Sequence, residues 1–357
     1  MTKDGSFKKV VRRHAAETGQ RYTEALTDLS GLDDRIYHEP DGDRLVAHLR
    51  GHYGIDAVAA TKLSVHKTYV FRIDRTDGPP WMARAFPPAR PRSDVEGDAA
   101  VLRFLARHDY PAERLAADDA VSDFDGSAVL VTEYIEHQPL PAEKGFAIMA
   151  DLLGRLHALP SDDSVSRPGG ASGEDARRMG TPRQDLLAGL AFLDVVDTKV
   201  AAADRERFQQ LRDQVRSADD GDGLPEALLH GNLLHAPDHA VIGPNGPAAI
   251  NWKASGRGPR LSDLAYLLWG TGNWAPTRST NTERVEAVVA AYRKHVELTD
   301  EELDRLEGVM FIRPLYLVCI GYRRDLLNGD SFNEWAFIEP PAYFTTTAAA
   351  TRAAFRR

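Results

Sequence analysis

The stretch Leu228-Leu229-His230-Gly231-Asn232-Leu233-Leu234-His235-Ala236-Pro237, followed by Ala249-Ile250-Asn251-Trp252-Lys253 and then Asp263-Leu264-Ala265, decides the fold of this chain. Residues 228 to 252 form a short strand-rich island around the turn signal Gly243-Pro244-Asn245-Gly246, and the chain beyond it is helical. If the second run is a strand, Asn251 and Lys253 lie two residues apart and face the same way. Their amide and ammonium would then share one surface.

Outward toward the amino terminus, the helical patterns Asp185 to Val196 and Ala203 to Ala218 follow an exposed Gly, Ser and Asp-rich loop, Ser161 to Glu174. A helix through Ile148, Leu152, Leu153 and Leu156 precedes that loop and stops at Pro160. Ahead of it, Ala128 to Ile135 reads as a strand. Ser93 with Glu96 fits a capping box for a helix carrying Val101, Phe104 and Leu105 on one face. Leu63 to Arg75, the turn Asp77-Gly78-Pro79-Pro80 and Trp81 to Phe86 read as an antiparallel hairpin. At the start, Phe7, Val10, Val11 and His14 take helical spacing with Lys8, Lys9, Arg12 and Arg13 turned away from them. This basic helix either packs on its apolar stripe or docks an acidic peptide or nucleic acid. Downstream, Thr299 and Glu302 form another capping box, and Pro314 is expected to kink the apolar helix that follows.

The order is therefore a small mixed lobe, a connecting strand and a larger helical lobe, a division that suits the length of 357 residues. The expected boundaries are an amino-terminal helical extension over 1–50, an N-lobe over 51–137 and a helical C-lobe over 138–357. No run approaches the roughly 18 apolar residues of a membrane span, and no export signal opens the chain, so a cytoplasmic protein is expected. A net charge of -9 argues against general nucleic-acid affinity. The single cysteine, Cys319, sits in an apolar run without a partner for a disulfide or zinc and reads as a small buried hydrophobe.

Taken together, the His230-Gly231-Asn232 loop, the Ile250-Asn251-Trp252 run and Asp263-Leu264-Ala265 resemble the active-site core of the aminoglycoside phosphotransferase and choline kinase superfamily. Leu153-Gly154-Arg155-Leu156-His157-Ala158-Leu159-Pro160 and Gly258-Pro259-Arg260 match the family in order and distance, and the likeness covers roughly residues 60 to 340. The resemblance implies an α+β, two-lobed protein-kinase-like fold, with a small antiparallel-sheet N-lobe, a larger, mostly helical C-lobe and an extra amino-terminal helical segment. It also implies structural packing roles for His230 and His157, and for Asp263 the task of holding the catalytic-loop backbone.

Departures from the family pattern carry the functional reading. The family has a catalytic Asp where this chain has Asn232, and an amide cannot take the acceptor's proton at neutral pH. The family's metal-binding Asn falls on Pro237, which has no side-chain oxygen, although a one-residue slip brings Asp238 near that place. Asn251 replaces the second metal-binding Asp with a neutral, weaker ligand for a hard cation. No dedicated metal site is expected unless Asp238 rescues it. Lys253 either supplies part of the missing positive charge or is a solvated lysine beside the cleft.

On the nucleotide side, Ser64-Val65-His66-Lys67-Thr68-Tyr69 lies where a glycine-containing phosphate loop is expected, and has no glycine. Arg84 matches the family's phosphate-facing Lys or Arg. Its helix partner is Asp98 or Glu96, and helical spacing favours Asp98. Either His235 or His66 could act as an acid or base near neutral pH. Trp269, Trp274 and Tyr266 either line an acceptor pocket or pack in the core. Three functions are consistent with these features. The first is a pseudokinase that binds a small molecule or peptide in the interlobe cleft, with no cofactor required or with ATP bound without strong magnesium dependence. The second is a kinase-fold enzyme repurposed for other chemistry on a peptide or natural-product intermediate, with His66, Lys67, Arg84, His235 and Lys253 as cleft groups. The third is a weak phosphotransferase relying on Asp238.

Overall fold

A computed structural model describes residues 40–65, 68–88, 90–160, 165, 182–233, 239–273, 278–328 and 341–357, with 8, 11–13, 15 and 16 of the amino-terminal stretch. His66, Lys67, Trp274 and residues 234 to 238, which include His235, Pro237 and Asp238, lie outside the described residues.

Antiparallel pairing builds the N-lobe. Strands β1 (Ala57–Val65), β2 (Tyr69–Arg75), β3 (Trp81–Ala85), β4 (Val121–Phe124) and β5 (Ser127–Glu133) form one sheet in the order β1-β2-β3-β5-β4. The run expected as one strand from Leu63 to Arg75 thus takes in the end of β1 and all of β2. Tyr69, Phe71 and Ile73 are buried and alternate with partly exposed neighbours, as a strand with one core face requires. The register sets the other face: Val70 and Leu130 flank Arg84, while Arg72 and Thr132 flank Met82. Because cross-strand neighbours project to the same side, these residues share the face that carries Arg84. Helix α1 (Gly42–Tyr53) runs from an Asp41 side-chain cap to a left-handed Gly54 and spans the expected boundary between extension and N-lobe. Helix α2 (Arg92–Arg107) buries Val95, Val101, Leu102, Phe104 and Leu105. Its expected capping box does not form: the helix starts at Arg92 behind Pro91, without a side-chain cap, and Glu96 pairs instead with Arg92 at 2.8 Å.

Beyond β5 the chain enters the helical lobe: β6 (Gln138–Pro139), α3 (Gly145–His157), α4 (Pro182–Val196) and α5 (Arg205–Ser217). Strand β7 (Glu226–Leu229) pairs with β10 (Gly256–Pro259), while β8 (Ala240–Gly243) and β9 (Gly246–Ala249) form a hairpin beside β6. Helices α6 (Arg260–Gly270), α7 (Thr282–Tyr292), α8 (Asp300–Asn328) and α9 (Pro341–Phe355) complete the order, and α8 continues through Pro314. Every residue of α6 from Leu261 to Gly270 is buried, which places it at the centre of this lobe. Cys319 is fully buried, and burial pushes its thiol pKa up. At the amino terminus Val11 is fully buried while Lys8 and Arg12 are exposed, and Arg13 pairs with Asp194 of α4. Of the expected apolar stripe, Val11 is thus packed on the protein, and Phe7, Val10 and His14 lie outside the described residues. Among the described residues no helix is long and apolar enough to cross a membrane.

Candidate functional site

The loop after β7 is held from beneath. Asp263, nearly fully buried on α6, accepts hydrogen bonds from the His230 amide at 2.7 Å and the Gly231 amide at 3.0 Å. Gly231 has φ +78, and an added Cβ would collide with the Ala254 carbonyl oxygen, so only glycine fits. His230 Nε2 donates to the Ile250 carbonyl at 3.0 Å, and the Asn232 amide donates to His230 Nδ1 at 3.3 Å. These two bonds fix a neutral imidazole, and burial lowers its pKa further. His157 completes the support, with Nδ1 2.8 Å from the Tyr292 hydroxyl and Nε2 3.6 Å from Asp263. The structural roles expected for His230, His157 and Asp263 have this geometry.

Asn232 points its amide at a residue that the sequence reading did not single out. Its Nδ2 donates to Nε2 of His239 at 2.8 Å, and the His239 ring lies edge-on to His230 with centroids 5.9 Å apart. A signal was present: His239 immediately precedes the apolar strand β8, which returns the chain to the loop. The family pattern assigns its metal-binding position to Pro237, or to Asp238 with a one-residue slip, both short of His239.

Asn251 is not on a strand. It takes a left-handed conformation, φ 69 and ψ 63, and caps the short 3-10 turn Trp252–Ala254. Asparagine tolerates that region because its short polar side chain can bond locally. Lys253 therefore lies in the turn rather than two places along a strand, so strand alternation is not what brings it to the surface of Asn251, although both residues line the cavity that Arg84, Asp98 and Glu113 share. The Asn251 amide donates to Glu113 Oε1 at 2.8 Å.

Arg84 also pairs differently from the expectation. Its partner is Glu113 at 2.6 Å, and it donates to the Thr132 hydroxyl at 3.1 Å, which in turn donates to Glu113 at 3.2 Å. Asp98 faces the same cavity but is bonded by Arg90 at 2.8 and 3.1 Å. Arg90 lies 4.4 Å over the Phe86 ring and reaches the Lys253 carbonyl at 3.4 Å, so it joins α2 to the C-lobe turn. Glu113 supplants Asp98 because the segment after α2 is stitched to β9 by the Ala249 amide donating to Pro111 and by an Ala112–Ala249 bridge. This brings Glu113 in from the C-lobe side. At the cleft mouth, Arg72 stacks 4.8 Å over Tyr134 and pairs with Glu136 at 3.3 Å, which ties the sheet to the connector after β5. Tyr266 and Trp269 are buried and stacked with centroids 5.6 Å apart, an arrangement that core packing explains.

The fold is that of a known family. The model of the phosphotransferase enzyme family matches residues 64–306. The chain belongs to that family. No curated protein sequence matches it. Solved structures share the fold at low identity. Amicoumacin kinase hAmiN in complex with AMP-PNP, Ca2+ and Ami is 15% identical with TM-score 0.57, over 82% of this chain and 88% of that one. An ethanolamine kinase from Plasmodium vivax is also 15% identical with TM-score 0.57, over 92% and 93%. A choline/ethanolamine kinase family protein from Mesorhizobium loti is 21% identical with TM-score 0.56, over 87% and 99%. A metal ion fits the described residues poorly: Asn232 and Asn251 are neutral ligands, weak for a hard cation, the Asn232 side-chain amide is engaged by His239, and no group of three or more His, Cys, Asp or Glu among the described residues is arranged to hold one.

Proposed function

We propose that this chain is a pseudokinase of the phosphotransferase family, which binds a small molecule or peptide in the interlobe cleft and does not transfer phosphate from magnesium-ATP. The Asn232–His239 hydrogen bond of 2.8 Å carries this reading. An amide at the proton-accepting position cannot act as a base, which removes a factor of roughly a hundred to ten thousand. Turning that amide onto an imidazole engages it within the protein. The rewired Arg84–Glu113 pair and the left-handed Asn251 support the same reading, and no cofactor forms part of it. The test is phosphate transfer from labelled ATP, with magnesium or manganese and a panel of hydroxyl and amine acceptors. No acceptor-dependent product is expected; reproducible turnover that disappears in Arg84→Met would sink the proposal.

The same contact favours a second reading, a kinase-fold enzyme repurposed for other chemistry on a peptide or natural-product intermediate. His239 places an imidazole, a group that can accept or donate a proton at either ring nitrogen, beside the loop. A specific product that is lost in His239→Ala and kept in Arg84→Met would favour this enzyme over the binding protein.

A further inference from the structure

Resting on the pseudokinase reading, we propose that the Glu113 carboxylate is a built-in stand-in for a ligand anion, which neutralises Arg84 so that the cleft rejects nucleotides and other phosphate-bearing ligands in favour of uncharged ones. Arg84 and Glu113 are 7% and 3% exposed, so their pairing is scarcely weakened by solvent. Glu113 takes the Arg84 guanidinium at 2.6 Å and the Thr132 hydroxyl at 3.2 Å on Oε2, and the Asn251 amide at 2.8 Å on Oε1. Two donors come from the N-lobe sheet and the third from the C-lobe turn. A bound phosphate would collect the same kinds of groups: a guanidinium, a hydroxyl and a backbone amide.

Neighbouring charges offer no easy exchange. Asp98 and Arg90 bond to each other beside it, so these two acids and two arginines pair off, and Lys253 is a further cation lining the same cavity. A phosphate that drew Arg84 away would leave Glu113 charged and nearly buried without its closest cation, Lys253 being the other cation that lines the cavity, and that separation is unfavourable. The cavity bounded by Arg84, Asp98, Glu113 and Asn251 is about 10 Å³, on the order of one water, so a phosphate cannot simply slip in beside the carboxylate. Glu113 lies outside α2, whereas a kinase pairs its strand lysine with a helix glutamate. The acid that neutralises Arg84 therefore comes from a segment stitched to the C-lobe, where it reaches Asn251 as well.

The experiment is calorimetric titration of metal-free ADP into the full chain, as wild type, Glu113→Gln and the double variant Arg84→Gln/Glu113→Gln. Glutamine keeps the size and can still accept from the Asn251 amide, but it removes the charge. The wild type is expected not to bind. Glu113→Gln should gain affinity by roughly tenfold or more, as expected when a charged donor becomes available, and the double variant should lose that gain. ADP binding by wild type, or no gain in Glu113→Gln, overturns the proposal. If thermal unfolding shows that Glu113→Gln is not folded, Glu113→Ala decides. Its melting temperature should rise in sodium formate relative to sodium chloride of equal ionic strength, because formate refills the vacated anion position, while wild type and Arg84→Gln/Glu113→Ala should not respond. No formate-specific rise overturns the proposal. Phosphate transfer by wild type would sink the pseudokinase reading itself, whereas an inactive wild type with no gain in Glu113→Gln sinks only this inference.

Discussion

Single residues decide the shape of the loop after β7. Gly231 has φ +78 and faces the Ala254 carbonyl without room for a Cβ. Gly231→Ala should cost about 3 kcal/mol or more, read from the urea unfolding midpoint. His230 makes stability depend on pH. Its pKa is lowered by burial, and so is that of His48, by burial and then by the neighbouring His52. The unfolded chain binds protons at these histidines near pH 6.5 while the folded chain resists them. Their contribution is therefore complete above about pH 6.5 and is lost as pH falls through the lowered folded values. His230→Gln should flatten the fall in stability between about pH 6.5 and 5 by up to about 1.4 kcal/mol per pH unit, with His48 supplying what remains. Thermal unfolding across that range tests it.

At the scale of elements, the two capping boxes read from sequence had opposite outcomes. Thr299 and Glu302 exchange hydrogen bonds, the Thr299 amide to Glu302 Oε2 at 2.8 Å and the Glu302 amide to the Thr299 hydroxyl at 3.2 Å. Glu302 also takes Arg260 Nε and Nη2, each at 2.8 Å, and is fully buried. Glu302→Ala removes a cap and leaves Arg260 without this partner, so a loss of about 3 to 5 kcal/mol is expected in chemical denaturation. Ser93 and Glu96 have the same spacing, but Arg92 both begins the helix and takes Glu96. Strand spacing fails at Lys253 for a related reason: β9 ends at Ala249, so alternation stops before Asn251, and a 3-10 turn carries Lys253 instead. Local spacing cannot reveal either competitor.

Across the whole molecule, members of the buried ion pairs reach over to the C-lobe through hydrogen bonds. Arg90 holds Asp98 of α2, stacks on Phe86 and reaches the Lys253 carbonyl. Arg90→Met should cost about 3 to 5 kcal/mol, because Asp98 remains buried without its guanidinium, whereas Arg90→Met/Asp98→Leu should recover most of that loss. Equilibrium unfolding of the two variants makes the comparison, and equal losses in both would show that the charge on Asp98 is not the cause. The amino-terminal helix acts at the same scale through Arg13 and Asp194, a carboxylate also bonded by Arg212 of α5. One acid thus joins the amino-terminal stretch to two helices of the C-lobe.

The sequence by itself determined the family fold, the two-lobed order, the amides at 232 and 251, and the supporting places of Asp263, His230 and His157. These depend on residue identity, on periodicity and on motifs that keep their order along the chain. Only the tertiary structure decided which charges meet. Arg84 and Glu113 are 29 positions apart, and Glu113 and Asn251 are 138 apart. Asp98 has a position on α2 suited to Arg84, but Arg90 holds it, and the Ala112–Ala249 bridge carries Glu113 to Arg84 instead. His239 reaches Asn232 through the return of β8, seven residues on. Partner choice among buried charges is a competition between contacts set by the packing of both lobes, and no local pattern in the chain encodes its outcome.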